Sequence, residues 1–253
     1  MRRGVCAIAV CGVLALPGCV GITDPATNVG QTTARLNAHG RTDDISAHFY
    51  FRYANQEADL PTAAAKRTPT RTIPAHRPDN GEFGYFGENV TGLSPGRNYF
   101  FELCGGDDKP GAPDWCGGRQ RFFTEPSSNQ DSVTGGMTAG AIVFIVRFKA
   151  ASGPQGQNAD GWFEFRNPRN GAGDFDARIT CLEVEGSRAA MGLVIQGSNG
   201  STSGLIVTLT DGGPGGTDTI GSAAGDVPPD CAEANFDNQQ GAYSSTLVAR
   251  DVP

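Results

Sequence analysis

Histidine, methionine and tryptophan are scarce in this 253-residue chain, with three, three and two residues. A nucleophilic Ser or Cys needs a base beside it, and no histidine lies beyond His76. The second half therefore has no Ser-His or Cys-His pair of its own. No Cys-x-x-Cys occurs, and His39, His48 and His76 stand far in sequence from the cysteines, which argues against a metal site. No Lys/Arg block is present and the net charge is −7, so the surface repels phosphate backbones and nucleic acid is set aside as a partner. The strong helix formers Leu, Lys, Glu and Met are thinly spread, which speaks against long helices. Past the first residues no apolar run can span a bilayer: 139–146 is apolar, but Arg147 and Lys149 follow.

What the chain does have is 36 glycines and 16 prolines, many of them between short apolar runs. That punctuation predicts many turns and short strands. With 38% hydrophobic residues there is enough apolar side chain for two cores. The expected fold class is all-β, in two domains at 24–125 and 136–253, joined by a polar linker at 126–135 that opens with Pro126.

Residues 1–18 form a basic start (Arg2, Arg3) followed by an apolar stretch, too short for a span but suited to a signal-peptide core. The segment ends Leu16-Pro17-Gly18-Cys19. With Leu at −3, Pro17 at −2 and a small residue at −1, it resembles the lipobox of bacterial lipoproteins. That resemblance implies lipidation of Cys19 and contact with the membrane only through that anchor. Ordinary secretion with cleavage nearby is the alternative. Both readings make the protein exported, as a membrane-anchored lipoprotein or a secreted one.

In the first domain, 47–53 alternates His48, Tyr50 and Arg52 against Phe49, Phe51 and Tyr53, which is strand periodicity. Thr33 to Asn37 alternates in the same way, with Ala34 and Leu36 on one side. Later come Leu93-Ser94-Pro95-Gly96-Arg97-Asn98-Tyr99 and a closing Phe122-Phe123-Thr124. This arrangement resembles the fibronectin type III domain over about a hundred residues. The Leu-x-Pro-Gly-x-x-Tyr run matches that family's turn before its sixth strand, and Phe122-Phe123-Thr124 matches its last strand. Leu36 stands where many members carry Trp. The resemblance implies a β-sandwich in which the hydroxyl of Tyr99 is tied to backbone near the turn. The basic stretch 66–77 reads as a solvated edge strand or loop.

The second domain alternates too. Phe163 and Phe165 oppose Trp162 and Glu164, and further strands are expected at 141–148, 179–185, 189–196, 205–210 and 243–250. A small closed barrel or a sandwich would each hide the sheet edges, and the pattern does not choose between them.

Of seven cysteines, Cys6, Cys11 and Cys19 belong to the leader, which leaves Cys104, Cys116, Cys181 and Cys231 as an even set. An oxidising compartment pairs such a set, in one of three connectivities. Cys104–Cys116 and Cys181–Cys231 are preferred because each pair lies within one domain. The first pair would staple the loop 105–115, with Trp115 either a contact on a recognition loop or part of a stiffened surface loop.

No catalytic, cofactor-binding or metal-binding residue is assigned. Glu183 and Glu185 share a strand face, but Leu182 and Val184 would take the core side and leave the glutamates in solvent. The Gly-rich turn from Asp211 to Asp218 lacks the alternating ligand spacing of a calcium loop. The expectation is a non-enzymatic cell-envelope protein, binding or structural, whose partner is a cell-surface protein or glycan. The alternative is a carbohydrate-binding accessory protein using Trp115 and Trp162, and after it an unusual carboxylate enzyme or a homo-oligomeric assembly protein. Non-reducing peptide mapping is expected to recover Cys104 with Cys116 and Cys181 with Cys231. Free thiols at all four positions would overturn the pairing.

Overall fold

The computed structural model describes residues 20–42, 46–74, 84–112, 114–139, 144–171, 173–197, 199–237 and 239–252. The leader, Cys19 and His76 lie outside these residues. All regular structure among the described residues is strand, apart from two short 3-10 turns.

The first unit begins with β1 (Val20–Thr27), β2 (Thr33–Arg41) and β3 (Ala47–Ala54). Two short strands follow, β4 (Lys66–Arg67) and β5 (Arg71–Ile73). Then come β6 (Gly84–Thr91), β7 (Asn98–Asp107), β8 (Trp115–Cys116) and β9 (Gln120–Phe123). They form a three-stranded sheet ordered β1-β2-β6 and a six-stranded sheet built on β3 and β7. Alternation supplies the layer between them. Ala34, Leu36 and Ala38 from one sheet meet Phe49, Phe51, Tyr99, Phe101 and Leu103 from the other, all buried. The hydroxyl of Tyr99 accepts the Ser94 amide at 2.9 Å. The basic stretch supplies the exposed edge strands β4 and β5, which pair with β3.

The second unit runs β10 (Asp131–Ala139), β11 (Phe144–Ser152), β12 (Asp160–Arg166), β13 (Phe175–Glu185) and β14 (Arg188–Gln196). It continues with β15 (Thr202–Thr210), β16 (Thr219–Gly225), β17 (Gln240–Ser245) and β18 (Val248–Arg250). Neighbours pair antiparallel in sequence order from β10 to β17. β10 pairs with β11 on one side and with β17 and β18 on the other, so the sheet closes into a barrel. The structure thereby decides the barrel-or-sandwich question. It also moves a boundary: β10 starts at Asp131, inside the segment expected to be linker. Gly135-Gly136 masks this strand in the sequence. The chain between β17 and β18 crosses there so closely that a Cβ on Gly135 would stand 3.0 Å from the Leu247 Cα.

The barrel core holds Val146, Phe148, Phe163, Ile179, Leu182, Met191, Leu193 and Val207. In β13 the inward set changes parity, from Ala177 and Ile179 to Leu182 and Val184, because the register shifts between Ile179 and Cys181. This bulge turns Cys181 out of the core toward Cys231. Their sulfurs are bonded at 2.19 Å, and those of Cys104 and Cys116 at 2.13 Å. Tyr99→Phe is expected to lower unfolding stability by about 1 kcal/mol, the ordinary net value of one hydrogen bond. Urea denaturation checks this, and an unchanged midpoint would show that the hydroxyl is only incidental.

Candidate functional site

The two units meet over a buried carboxylate. Asp160 opens β12 and accepts the Asn98 backbone amide at 3.1 Å, the Asn98 side-chain amide at 3.0 Å and the Gly161 amide at 2.8 Å. Asn98 and Asp160 are 4% and 7% exposed, so a charge taken from water is compensated by three donors. Beside it the Arg97 guanidinium donates to the Asn158 carbonyl at 2.7 Å.

Above this latch lies a cleft of about 770 Å³ whose floor includes Asn98, Phe100, Asp160 and Gly161. Trp162 stands two residues along β12 from Asp160, so strand alternation puts both on the outer barrel face. Trp162 is half-buried, and the Arg121 guanidinium lies 4.6 Å from its ring centre while pairing with Glu164 at 2.9 Å. Across the cleft the Arg178 guanidinium donates to the side-chain amide oxygen of Gln56 at 3.5 Å, and Arg119 holds Glu57 at 3.1 Å. The walls thus mix side-chain amides, both charge signs and one indole.

The cleft contains three carboxylates, Glu57, Asp160 and Asp176. Each already accepts from a donor: Glu57 from Arg119, Asp160 from the latch, and Asp176 from Arg166 at 2.6 Å. The Asn98 side-chain oxygen is buried in the cleft and has no hydrogen-bond partner among the described residues. Such an arrangement offers both hydrogen-bond donors and acceptors within one cleft.

Glu183 and Glu185 are exposed on the barrel exterior while Leu182 and Val184 are buried, as the alternation requires. Asp211 and Asp218 accept the amides of Gly213 and Gly212 at 2.7 and 2.9 Å, so their oxygens close the turn itself. Trp115 and Trp162 do not form a shared platform. Trp115 turns inward, with its ring 5.9 Å from that of Phe49 and hard against Gly21, where a Cβ would meet it at 2.4 Å. Glu102 has donor atoms near the sulfurs of Cys104 and Cys116, but those sulfurs are joined in a disulfide and are not thiolate ligands. Sequence reasoning missed Asn98, Asp160, Arg121 and Arg178. One signal was available: an outward Trp on a barrel strand implies something to cover it.

The stapled loop is fixed by charge as well as by sulfur. His48 bonds Asp108 at 3.0 Å through Nδ1 and Asp114 at 2.9 Å through Nε2, and Tyr50 donates to Asp114 at 3.0 Å. The two carboxylate bonds, Asp108 first, raise His48 above its ordinary pKa. The same bonds lower Asp108 and Asp114.

No protein-family model matches the chain, and no curated protein sequence does. Among solved structures, the sensor domain of the anti-sigma factor RsgI4 in Pseudobacteroides cellulosolvens is 12% identical over 45% of this chain and 99% of that one, with a TM-score of 0.33. Likeness at that level carries no argument about function.

The pH dependence of the loop follows from the shifts. A raised His48 stabilises the loop at low pH and ceases to do so as pH rises through its folded value, above 6.5. Lowered carboxylates stabilise it above the ordinary Asp range and cease to do so as pH falls through their folded values, below 3.8. Hydrogen exchange of amides 105–112, corrected for intrinsic rate, is therefore expected to be slower at about pH 5 than at about pH 9. His48→Gln is expected to remove the difference between the two pH values. An equal difference in the variant would sink the assignment.

Proposed function

We propose that this is a non-enzymatic, exported protein of the cell envelope that binds a surface glycan in the cleft between its two β units. The observation that carries the reading is the half-exposed Trp162 set among side-chain amides and both charge signs in a cleft of about 770 Å³. Stacking on an indole face combined with many hydrogen-bonding groups suits a polyhydroxylated ligand.

Export is supported by the leader at 1–18 and by two disulfides, which fit an oxidising compartment. On this reading Cys19 carries the lipid anchor. The first unit is a fibronectin type III-like spacer, supported by its β1-β2-β6 sheet facing the β3 and β7 sheet and by the Tyr99–Ser94 bond. A non-catalytic role is supported by His48, whose two nitrogens both face carboxylates, and by the donors already bound to each cleft carboxylate.

Co-sedimentation of the purified protein with envelope polysaccharide tests the proposal. Saturable pelleting is expected, with Trp162→Ala and Arg178→Ala each weakening it about tenfold, the effect of losing one stacking or charged contact of about 1.4 kcal/mol. Pelleting unchanged in both variants would move the ligand out of the cleft. No pelleting would favour a protein partner, to be sought by cross-linking at the cell surface. Release of reducing ends that is lost in Asp176→Asn would replace the binding reading with a hydrolytic one.

A further inference from the structure

The barrel has a second concavity with the opposite chemistry. β11 and β12 pair so that Ala151 faces Asp160 at one end and Ile145 faces Arg166 at the other. The Asp160 end meets the first unit. At the other end lies a cavity of about 310 Å³, lined by Phe144, Phe163, Phe165 and Phe175 together with Leu205, Val207 and Ile220. Among the described residues no charged side chain lines it, and the polar side chains are Ser222 and Gln240.

Two features mark this mouth as more than a fraying barrel end. The first is aromatic order. Phe165 and Phe175 stack with centres 5.3 Å apart and planes 5° from parallel, and Phe144 stacks on Phe165 at 5.4 Å and 28°. Phe163 continues the row beside Phe175 at 6.0 Å and 19°. Phe144, Phe165 and Phe175 are all only partly buried, so apolar ring surface stays in contact with water. The second is an opening. β16 pairs with β17 only through Thr219 and Ile220, while its remaining residues, Gly221–Gly225, pair with β15 alone among the described residues. Ser222 is exposed along this free edge, opposite the buried Val207, so it faces the mouth from the rim.

We infer that the barrel mouth is a binding site for a small, uncharged aromatic molecule carrying one hydroxyl or carbonyl group. Size limits the ligand to one or two rings, because about 310 Å³ lies at the small end of ligand pockets, which run from about 300 to 1,000 Å³. Ring chemistry follows from the row of phenylalanines, which accept an inserted flat ring by offset stacking. Charge is excluded by the lining: an ion here would lose its hydration and gain no partner. The single polar group is matched by Ser222 and Gln240 at the rim. This inference does not depend on the glycan reading, since the two sites occupy opposite ends of β12.

The test uses the purified full-length protein and 1-naphthol, an uncharged two-ring fluorophore with one hydroxyl. A saturable rise in its emission at one molecule per chain is expected, and 2-naphthol is expected to compete it off. 1-Naphthoate, of similar size but anionic, is expected to compete at least tenfold less well. Ser222→Trp, which fills the mouth from an exposed position, and Gln240→Trp on the facing strand are each expected to weaken binding at least tenfold without lowering the melting temperature. Emission that rises without saturation, or binding unchanged in both tryptophan variants, would overturn the site. Equal competition by naphthoate would overturn the assigned ligand class.

Discussion

The arrangement of this molecule rests on the carboxylate of Asp160. A buried carboxylate is tolerated only where donors replace its lost water. Here two of the three donors belong to Asn98 of the first unit and one to Gly161 of the barrel. Satisfying the charge therefore joins the units at a defined register. The turn before Asn98 is pressed against the barrel so tightly that a Cβ on Gly96 would stand 2.7 Å from that of Ala151. Once Asn98 is seated on Asp160, the rest of the cleft follows. β9 carries Arg121 opposite Phe100, and β12 carries Trp162 two residues beyond Asp160.

The same strand explains why the barrel has two unlike ends. β12 reads Asp160-Gly-Trp-Phe-Glu-Phe-Arg166, with polar and indole groups on the outer face and phenylalanines inside. Its start supplies the latch and the cleft, while its end supplies Phe165 to the apolar mouth. Closure by β10 covers one potential edge, since that strand has strand partners on both sides. The weak β16–β17 junction leaves the other seam partly open, and the segment between those strands is tied to β13 by the Cys181–Cys231 disulfide.

Much of the fold was legible because period-two alternation survives in most strands. Ala34-Leu36, Phe49-Phe51 and Phe163-Phe165 each announced an inward face, and each lines a core or the barrel mouth. What escaped notice had a local cause. β10 is interrupted by a Gly-Gly pair, of which Gly135 is required by the chain passing at Leu247, and β16 is rich in Gly, Ser and Ala, with little apolar contrast to reveal its period. The parity change in β13 is present in the sequence as Ile179 followed by Leu182, but it becomes a bulge only when β14 supplies the register. Trp115 illustrates the reverse case. In a Gly- and Pro-rich loop it reads as a surface aromatic, yet the gap over Gly21 draws it inward.

By itself the sequence determined the all-β class and the acidic balance of the chain, because these depend on composition and local periodicity. Barrel closure, the cleft at the units' junction and the aromatic mouth were decided only by tertiary structure. Each requires residues distant in sequence to meet: Asn98 with Asp160, Ser132 with Arg250, and Phe144 with Phe165 and Phe175. Strand alternation states which way a side chain points and carries no information about which strand it will find there.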